Sequence, residues 1–175
     1  MKKMSMAIAS IVIVLLSGCS VKNNFDVSFP SNFQVLQKNY KLSAVNAQLA
    51  SENKKTGDLD VFDPEYTQKF EISLLKALKD TKLFDDTSHS SLQIKAVILQ
   101  NDTPSLGLNM TVYTDILYEI KNQEGKVLYS KSIQAEGLAT IGDEFVAFKR
   151  MVLANDRSVQ NNIKLFIDDI KSKKF

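Results

Sequence analysis

The spacing of apolar residues predicts an α+β domain: an antiparallel sheet of about four strands with two helices packed on one face. Three observations carry this expectation. A segment with a 3.6-residue period, Tyr66 to Leu78, precedes a run of period-2 segments between Ser91 and Ala135, and a longer 3.6-period segment closes the chain. Strands grouped together, rather than alternating regularly with helices, favour antiparallel pairing with the helices set to one side. The 175 residues, 44% hydrophobic and 24% charged, suit one domain that buries roughly two thirds of its unfolded surface without metal or disulfide support.

Met1-Lys2-Lys3 supplies a basic start, and Ala7 to Leu16 holds only Ser10 as a polar interruption. This is the layout of a secretory signal, and the run falls short of the roughly 20 apolar residues a spanning helix needs. Leu16-Ser17-Gly18-Cys19 follows, and it resembles the bacterial lipobox. The resemblance implies that residues 1–18 are a lipoprotein signal peptide, cut before Cys19, and that Cys19 is the lipidation site, with diacylglyceryl on sulfur and an acyl chain on the new amine. The residue types suit that chemistry. A thioether requires a cysteine, small residues before it admit a peptidase, and acyl chains bury at about 0.8 kcal/mol per CH₂, so more than one chain anchors stably. Losing Lys2 and Lys3 brings the 22 basic residues level with the 20 acidic ones. Ser20 stands where Asp would signal inner-membrane retention in the resembling enterobacterial lipoproteins, which implies the outer membrane, expected on its periplasmic face.

Residues 19–24 form a short lipidated tether ahead of a single domain, 25–175. Val27 to Leu49 is expected to be extended, with Phe33, Val35, Leu42 and Val45 inward and Gln37-Lys38-Asn39 interrupting the pattern. Ala50 to Asp60 is a polar loop. Asp63-Pro64-Glu65 marks a helix start: Asp63 suits a cap, Pro64 the first helical position, and Glu65 the positive helix end. Tyr66, Phe70, Leu74, Ala77 and Leu78 share one face of a helix predicted from Pro64 to about Thr81.

Leu92, Ile94, Ala96 and Ile98 alternate along the next strand, and Val97 and Leu99 imply cover on both faces of its second half. Asn101-Asp102-Thr103-Pro104 reads as a turn-rich loop. Leu108, Met110, Val112, Ile116, Tyr118 and Ile120 then share an inward face, and a hairpin at Asn122-Gln123-Glu124-Gly125 leads to Val127, Tyr129, Ile133 and Ala135 on the return strand. Gly137 and Gly142 break that strand, with Gly142 or Asp143 placed to cap a helix from about Glu144 to Ile170. That helix is roughly 40 Å long and striped by Phe148, Val152, Asn155, Val159, Asn162, Ile163, Phe166 and Ile170.

The residue inventory narrows function. Near-neutral charge lacks the basic field that nucleic-acid binding requires. His89, the only histidine, lies in Asp85-Asp86-Thr87-Ser88-His89-Ser90. A triad needs members converging from a rigid site, and the G-x-S-x-G motif is missing, so this stretch reads as a solvated loop. One histidine, a cysteine consumed by lipid and Asp85-Asp86 are too few ligands for zinc, and phosphate loops and dinucleotide fingerprints are missing. No catalytic residue, metal or cofactor is expected. Asp156, Arg157, Asp168 and Asp169 are expected on the solvated side of the last helix.

Three groups are candidates for interaction. Asn155 and Asn162 lie seven residues apart on an apolar stripe, where amides need partners from the sheet or from another protein unless they touch water at the stripe edge. Leu106 and Leu108, around the end of the Gln100 to Gly107 loop, either close the sheet end or offer an insertion point for a partner or lipid. The outer hairpin face carries Thr111, Tyr113, Leu117, Leu128 and Ser130.

The helix ending Leu78-Lys79-Asp80-Thr81-Lys82-Leu83-Phe84, the strand Leu92-Gln93-Ile94-Lys95-Ala96, the hairpin around Gly125 and the helix holding Ala154 and Asn161-Asn162 follow the lipobox in order. In this the chain resembles small Gram-negative envelope lipoproteins such as the YajG family and, more distantly, the lipoprotein that plugs the lipopolysaccharide export barrel. The resemblance spans about residues 65–170. It implies a non-catalytic scaffold or accessory subunit of an envelope machine, attached to the membrane through Cys19 and to an envelope protein partner. A stand-alone module for a small ligand or glycolipid is the alternative, and an enclosed pocket between sheet and long helix would distinguish it.

Overall fold

The computed structural model describes residues 23–50, 65–103 and 107–175. Its elements are β1 (Lys41–Leu49), α1 (Tyr66–Asp80), β2 (Ser91–Asp102), β3 (Met110–Asn122), β4 (Val127–Ala139) and α2 (Ala147–Ile170). The strands form one sheet in the order β1-β2-β3-β4, with both helices packed into a core on one face, so the α+β class holds. The expected all-antiparallel pairing is corrected at one edge. β2–β3 and β3–β4 are antiparallel, but β1 runs parallel to β2. The connection through α1 is long enough to carry the chain back to the starting end of β1, as parallel pairing requires.

Tyr66, Phe70, Leu74, Ala77 and Leu78 of α1 all enter the core, as their spacing requires. They meet Leu92, Ile94, Ala96 and Ile98 of β2, Ile116 and Tyr118 of β3, and Val159, Ile163, Phe166 and Ile170 of α2. The Phe166 ring stacks on Tyr118 with centroids 3.9 Å apart. Met110, Val112, Ala139 and Ala154 form a smaller cluster beneath the first turns of α2. Phe148 and Val152, expected in the stripe, sit outside the buried set, Phe148 being half exposed.

The extended strand expected from Val27 is shorter. Residues 23–40 are largely irregular, Phe33 closes a turn by donating its N–H to the Pro30 carbonyl (2.9 Å), and the ladder with β2 begins at Lys41. Phe25 and Val27 are nevertheless buried, and the Phe25 ring meets Tyr66 edge-on at 4.9 Å. β2 runs on through Asn101 and Asp102, where a loop was expected. A register shift between Ile98 and Gln100 changes the phase of the pleat and turns Asn101 inward.

Gly125 takes φ 78° at the hairpin corner, and its N–H donates to the Asn122 carbonyl (3.0 Å), a conformation that suits glycine. Gly137, by contrast, lies within β4 and does not end it. A Cβ there would strike the α2 backbone at Ala154 O and Ser158 N, so the missing side chain lets the helix rest on the sheet.

α1 and α2 both begin without a side-chain capping bond. α1 begins at Tyr66 with Glu65 at its N-cap, while Asp63 and Pro64 lie outside the described residues. α2 begins at Ala147 with Val146 at its N-cap and no side-chain capping bond. Its 24 residues span about 36 Å. Asp143 caps no helix; its Oδ2 accepts from the Thr140 amide and hydroxyl, both at 2.8 Å.

Candidate functional site

The polar residues of the α2 stripe form a hydrogen-bonded seam against the sheet. Asn162 Nδ2 donates to the Ile133 carbonyl (2.8 Å) and to Thr114 Oγ1 (3.2 Å), and its Oδ1 accepts from the Tyr118 hydroxyl (2.9 Å). Ser158 and Thr114 share a hydrogen bond of 3.0 Å. Asn155 Oδ1 accepts from Asn101 Nδ2 (2.6 Å) and from the Tyr66 hydroxyl (3.3 Å), while its Nδ2 donates to Asn23 Oδ1 (3.3 Å). Of the alternatives the sequence leaves open for Asn155 and Asn162, the fold uses partners within the chain. Burial pushes the Tyr118 hydroxyl well above its ordinary pKa, so it remains a neutral donor.

The charged residues of α2 are also more engaged than a solvated face requires. Asp156 is buried. Arg157 donates to the Leu138 carbonyl (2.6 Å) and to Asp143 Oδ1 (2.7 Å), and Asn161 donates to the Glu136 carbonyl (2.9 Å), so α2 covers the β4 edge. Asp169 accepts from the Tyr129 hydroxyl (2.9 Å) and from Lys131 (2.7 Å). Burial works to raise Asp169, yet bonds from Lys131 and Tyr129 and the nearby lysine charges outweigh it and hold the carboxyl below its ordinary value.

His89 is exposed, with its carbonyl accepting from Gln123. Asp85 is occupied by the Thr87 amide (2.9 Å) and hydroxyl (2.6 Å), and the Ser88 hydroxyl donates to the Asn39 carbonyl (2.9 Å). These are local turn contacts. Among the described residues, no group of three or more His, Cys, Asp or Glu is placed to hold a metal ion. Among the described residues, sheet and long helix meet directly in the seam and in the Tyr118–Phe166 stack. Depressions lie outside it, such as an open groove of about 400 Å³ between Gln100, Tyr113, Asp115, Gln134 and Glu136. The outer sheet face is charged as well as apolar, for Asp115, Glu119, Lys121 and Glu136 share it with Tyr113 and Leu117.

One end of the domain differs in character. Leu108, expected on the inward face, is 74% exposed because β3 starts two residues later. Phe145 is 84% exposed, and Val146 and Phe148 about half exposed. Buried Arg150 ties the two loops together: its Nη1 donates to the Glu144 (2.8 Å) and Phe145 (3.0 Å) carbonyls and its Nη2 to the Gly107 carbonyl (3.1 Å). Two acids of this end are engaged in surface hydrogen bonds. Asp143 is bonded to Thr140 and Arg157, and Glu144 Oε1 accepts from the Val146 amide (3.0 Å). An exposed apolar cluster on a rigid support was not legible from the loop sequence, because Phe145 and Phe148 also fit the helical stripe. Leu106 and Cys19 lie outside the described residues.

No family model and no curated protein matches the chain. Among solved structures, a DUF330 protein of Xanthomonas campestris aligns with TM-score 0.56 at 10% identity, covering 83% of this chain and 90% of its own. A hypothetical protein of Chlamydia trachomatis aligns with TM-score 0.51 at 10% identity, covering 75% and 96%. These likenesses show a shared fold. A lipoprotein candidate of Caulobacter crescentus, with TM-score 0.44 at 8% identity over 71% of this chain and 85% of that one, is too distant to bear on it.

Proposed function

We propose that the chain is a lipid-anchored envelope protein, held through Cys19 at the periplasmic face of the outer membrane, and that it serves an envelope assembly or transport system as a non-catalytic accessory or scaffold subunit. The observation that carries this reading is Leu16-Ser17-Gly18-Cys19 standing just ahead of Asn23, which is hydrogen-bonded to α2. Four residues reach at most about 14 Å when extended, so an anchor at Cys19 holds the domain against the bilayer. No helix among the described residues is long and apolar enough to cross a membrane, and the lipid supplies attachment without one. The YajG-type resemblance and the local roles taken by Asp85, Ser88 and the α2 acids favour an accessory over an envelope hydrolase. The direct packing of described residues of the sheet on α2 supports a partner-binding surface over a ligand pocket at that place.

Labelling with radioactive fatty acid tests the anchor. Wild type is expected to take up label and pellet with membranes, and Cys19→Ala to lose both properties; equal labelling of the two sinks the reading. Complementation of a deletion strain by His89→Ala tests the accessory role. Failure of His89→Ala to complement, with normal folding and normal crosslinking, would count for an enzyme.

A further inference from the structure

The geometry points to Leu108, Phe145, Val146 and Phe148 as an apolar tip that dips into the leaflet carrying the Cys19 lipid and sets the orientation of the domain on the bilayer. This rests on the anchoring reading above. The four side chains are exposed, come from two segments joined by buried Arg150, and have as neighbouring acids in sequence Asp143 and Glu144, which are hydrogen-bonded to Arg157 and Thr140 and to the Val146 amide. Exposed apolar clusters of this kind mark contact surfaces.

The path of the chain names lipid as the occupant. Asn23 bonds Asn155 near the start of α2, Phe25 packs on Tyr66 at the start of α1, Asp26 pairs with Lys76 further along α1 (3.2 Å), and Phe33 lies under Lys171 at the far end of α2 (5.0 Å). Residues 23–33 therefore travel away from the tip, so that Asn23, where the described segment begins, is its residue nearest the tip along α2. Asn155 stands eight residues into α2, about 12 Å from Ala147. The tether to Cys19 reaches at most about 14 Å. The lipid on Cys19 is thus within reach of the plane of the tip. Acyl chains supply the affinity, so the tip decides which surface faces the membrane, at the 5–10 Å depth roughly typical of interfacial apolar side chains.

Cys19 is the only cysteine and its sulfur is blocked once acylated, so an introduced cysteine is the only free thiol. The mature lipidated protein is purified with Val146→Cys or, as control, Glu124→Cys in the hairpin at the opposite end of β3. Each is labelled with bimane and placed in phosphatidylethanolamine–phosphatidylglycerol vesicles containing brominated lipid. The expected result is a blue shift and strong lipid quenching at position 146, and neither at 124. Adding Phe145→Asp and Phe148→Asp should abolish quenching at 146 without moving the melting temperature, because both side chains are exposed. The mass of the N-terminal peptide reports acylation independently. An acylated protein that shows no quenching at 146, or equal quenching at both positions, overturns the tip and leaves the anchor standing. A protein without acyl mass overturns both. Crosslinking of position 146 to a protein, with no lipid quenching, assigns the tip to a protein partner and overturns insertion.

Discussion

Gly137 controls how closely α2 approaches the sheet. A methyl group there meets helix backbone at Ala154 and Ser158, which has no rotamer to yield, so Gly137→Ala must lift the helix or shift β4. The expected cost is about 3 kcal/mol, the upper part of the range for overpacking. Chemical denaturation of the two proteins measures it, and an unchanged midpoint would show that the close approach is not rigid. A glycine inside a period-2 pattern reads equally well as a break or a contact, because its meaning depends on the element opposite. Asn162 was more legible: an amide on an apolar stripe needs a partner, and the sequence carries that need without saying that Ile133, Thr114 and Tyr118 meet it.

α2 and β4 are joined along their length by polar contacts, and two of these titrate. Hydrogen bonds from Arg157, then from the Thr140 amide and hydroxyl, hold Asp143 well below the ordinary carboxylate range, and Asp169 is lowered on balance as well. A carboxyl depressed in the folded state adds stability that is complete above its unfolded pKa, about 3.9, and is lost as pH falls below it. The melting temperature is therefore expected to drop between about pH 5 and 3. Asp143→Asn should lower it at neutral pH and make the acid slope shallower, so that the curves converge at low pH. Parallel curves would remove Asp143 from the account. The α1 face was read correctly because five apolar residues recur at helical spacing. The start of α2 was not, since Asp143 resembles a cap in sequence but bonds a preceding turn. The parallel edge was missed because strand direction depends on the span of a crossover and leaves no trace in hydrophobic period.

Across the whole molecule, residues 23–38 act as a strap over both helices. Phe25 and Val27 are in the core, Leu36 donates its N–H to the Lys171 carbonyl (2.9 Å), and the Lys38 ammonium caps the end of α2 at the Lys171 and Lys173 carbonyls, its pKa lowered by burial. The alternation at Phe33 and Val35 suggests a strand from Val27, whereas an irregular strap buries side chains wherever the surface beneath allows, which leaves no period to read. Its consequence is mechanical: the described chain from Phe25 onward belongs to the core, within six residues of the proposed lipid. Phe25→Ala should cost about 3–5 kcal/mol, the usual range for emptying a buried phenylalanine site. It should leave acylation of Cys19 untouched, because processing depends on residues upstream. Thermal melts of the acylated variant and wild type check the first part, and the mass of the N-terminal peptide the second. A wild-type melting temperature in Phe25→Ala would mean that the strap lies on the domain without supporting it, and the fixed relation between anchor and tip would be lost with it.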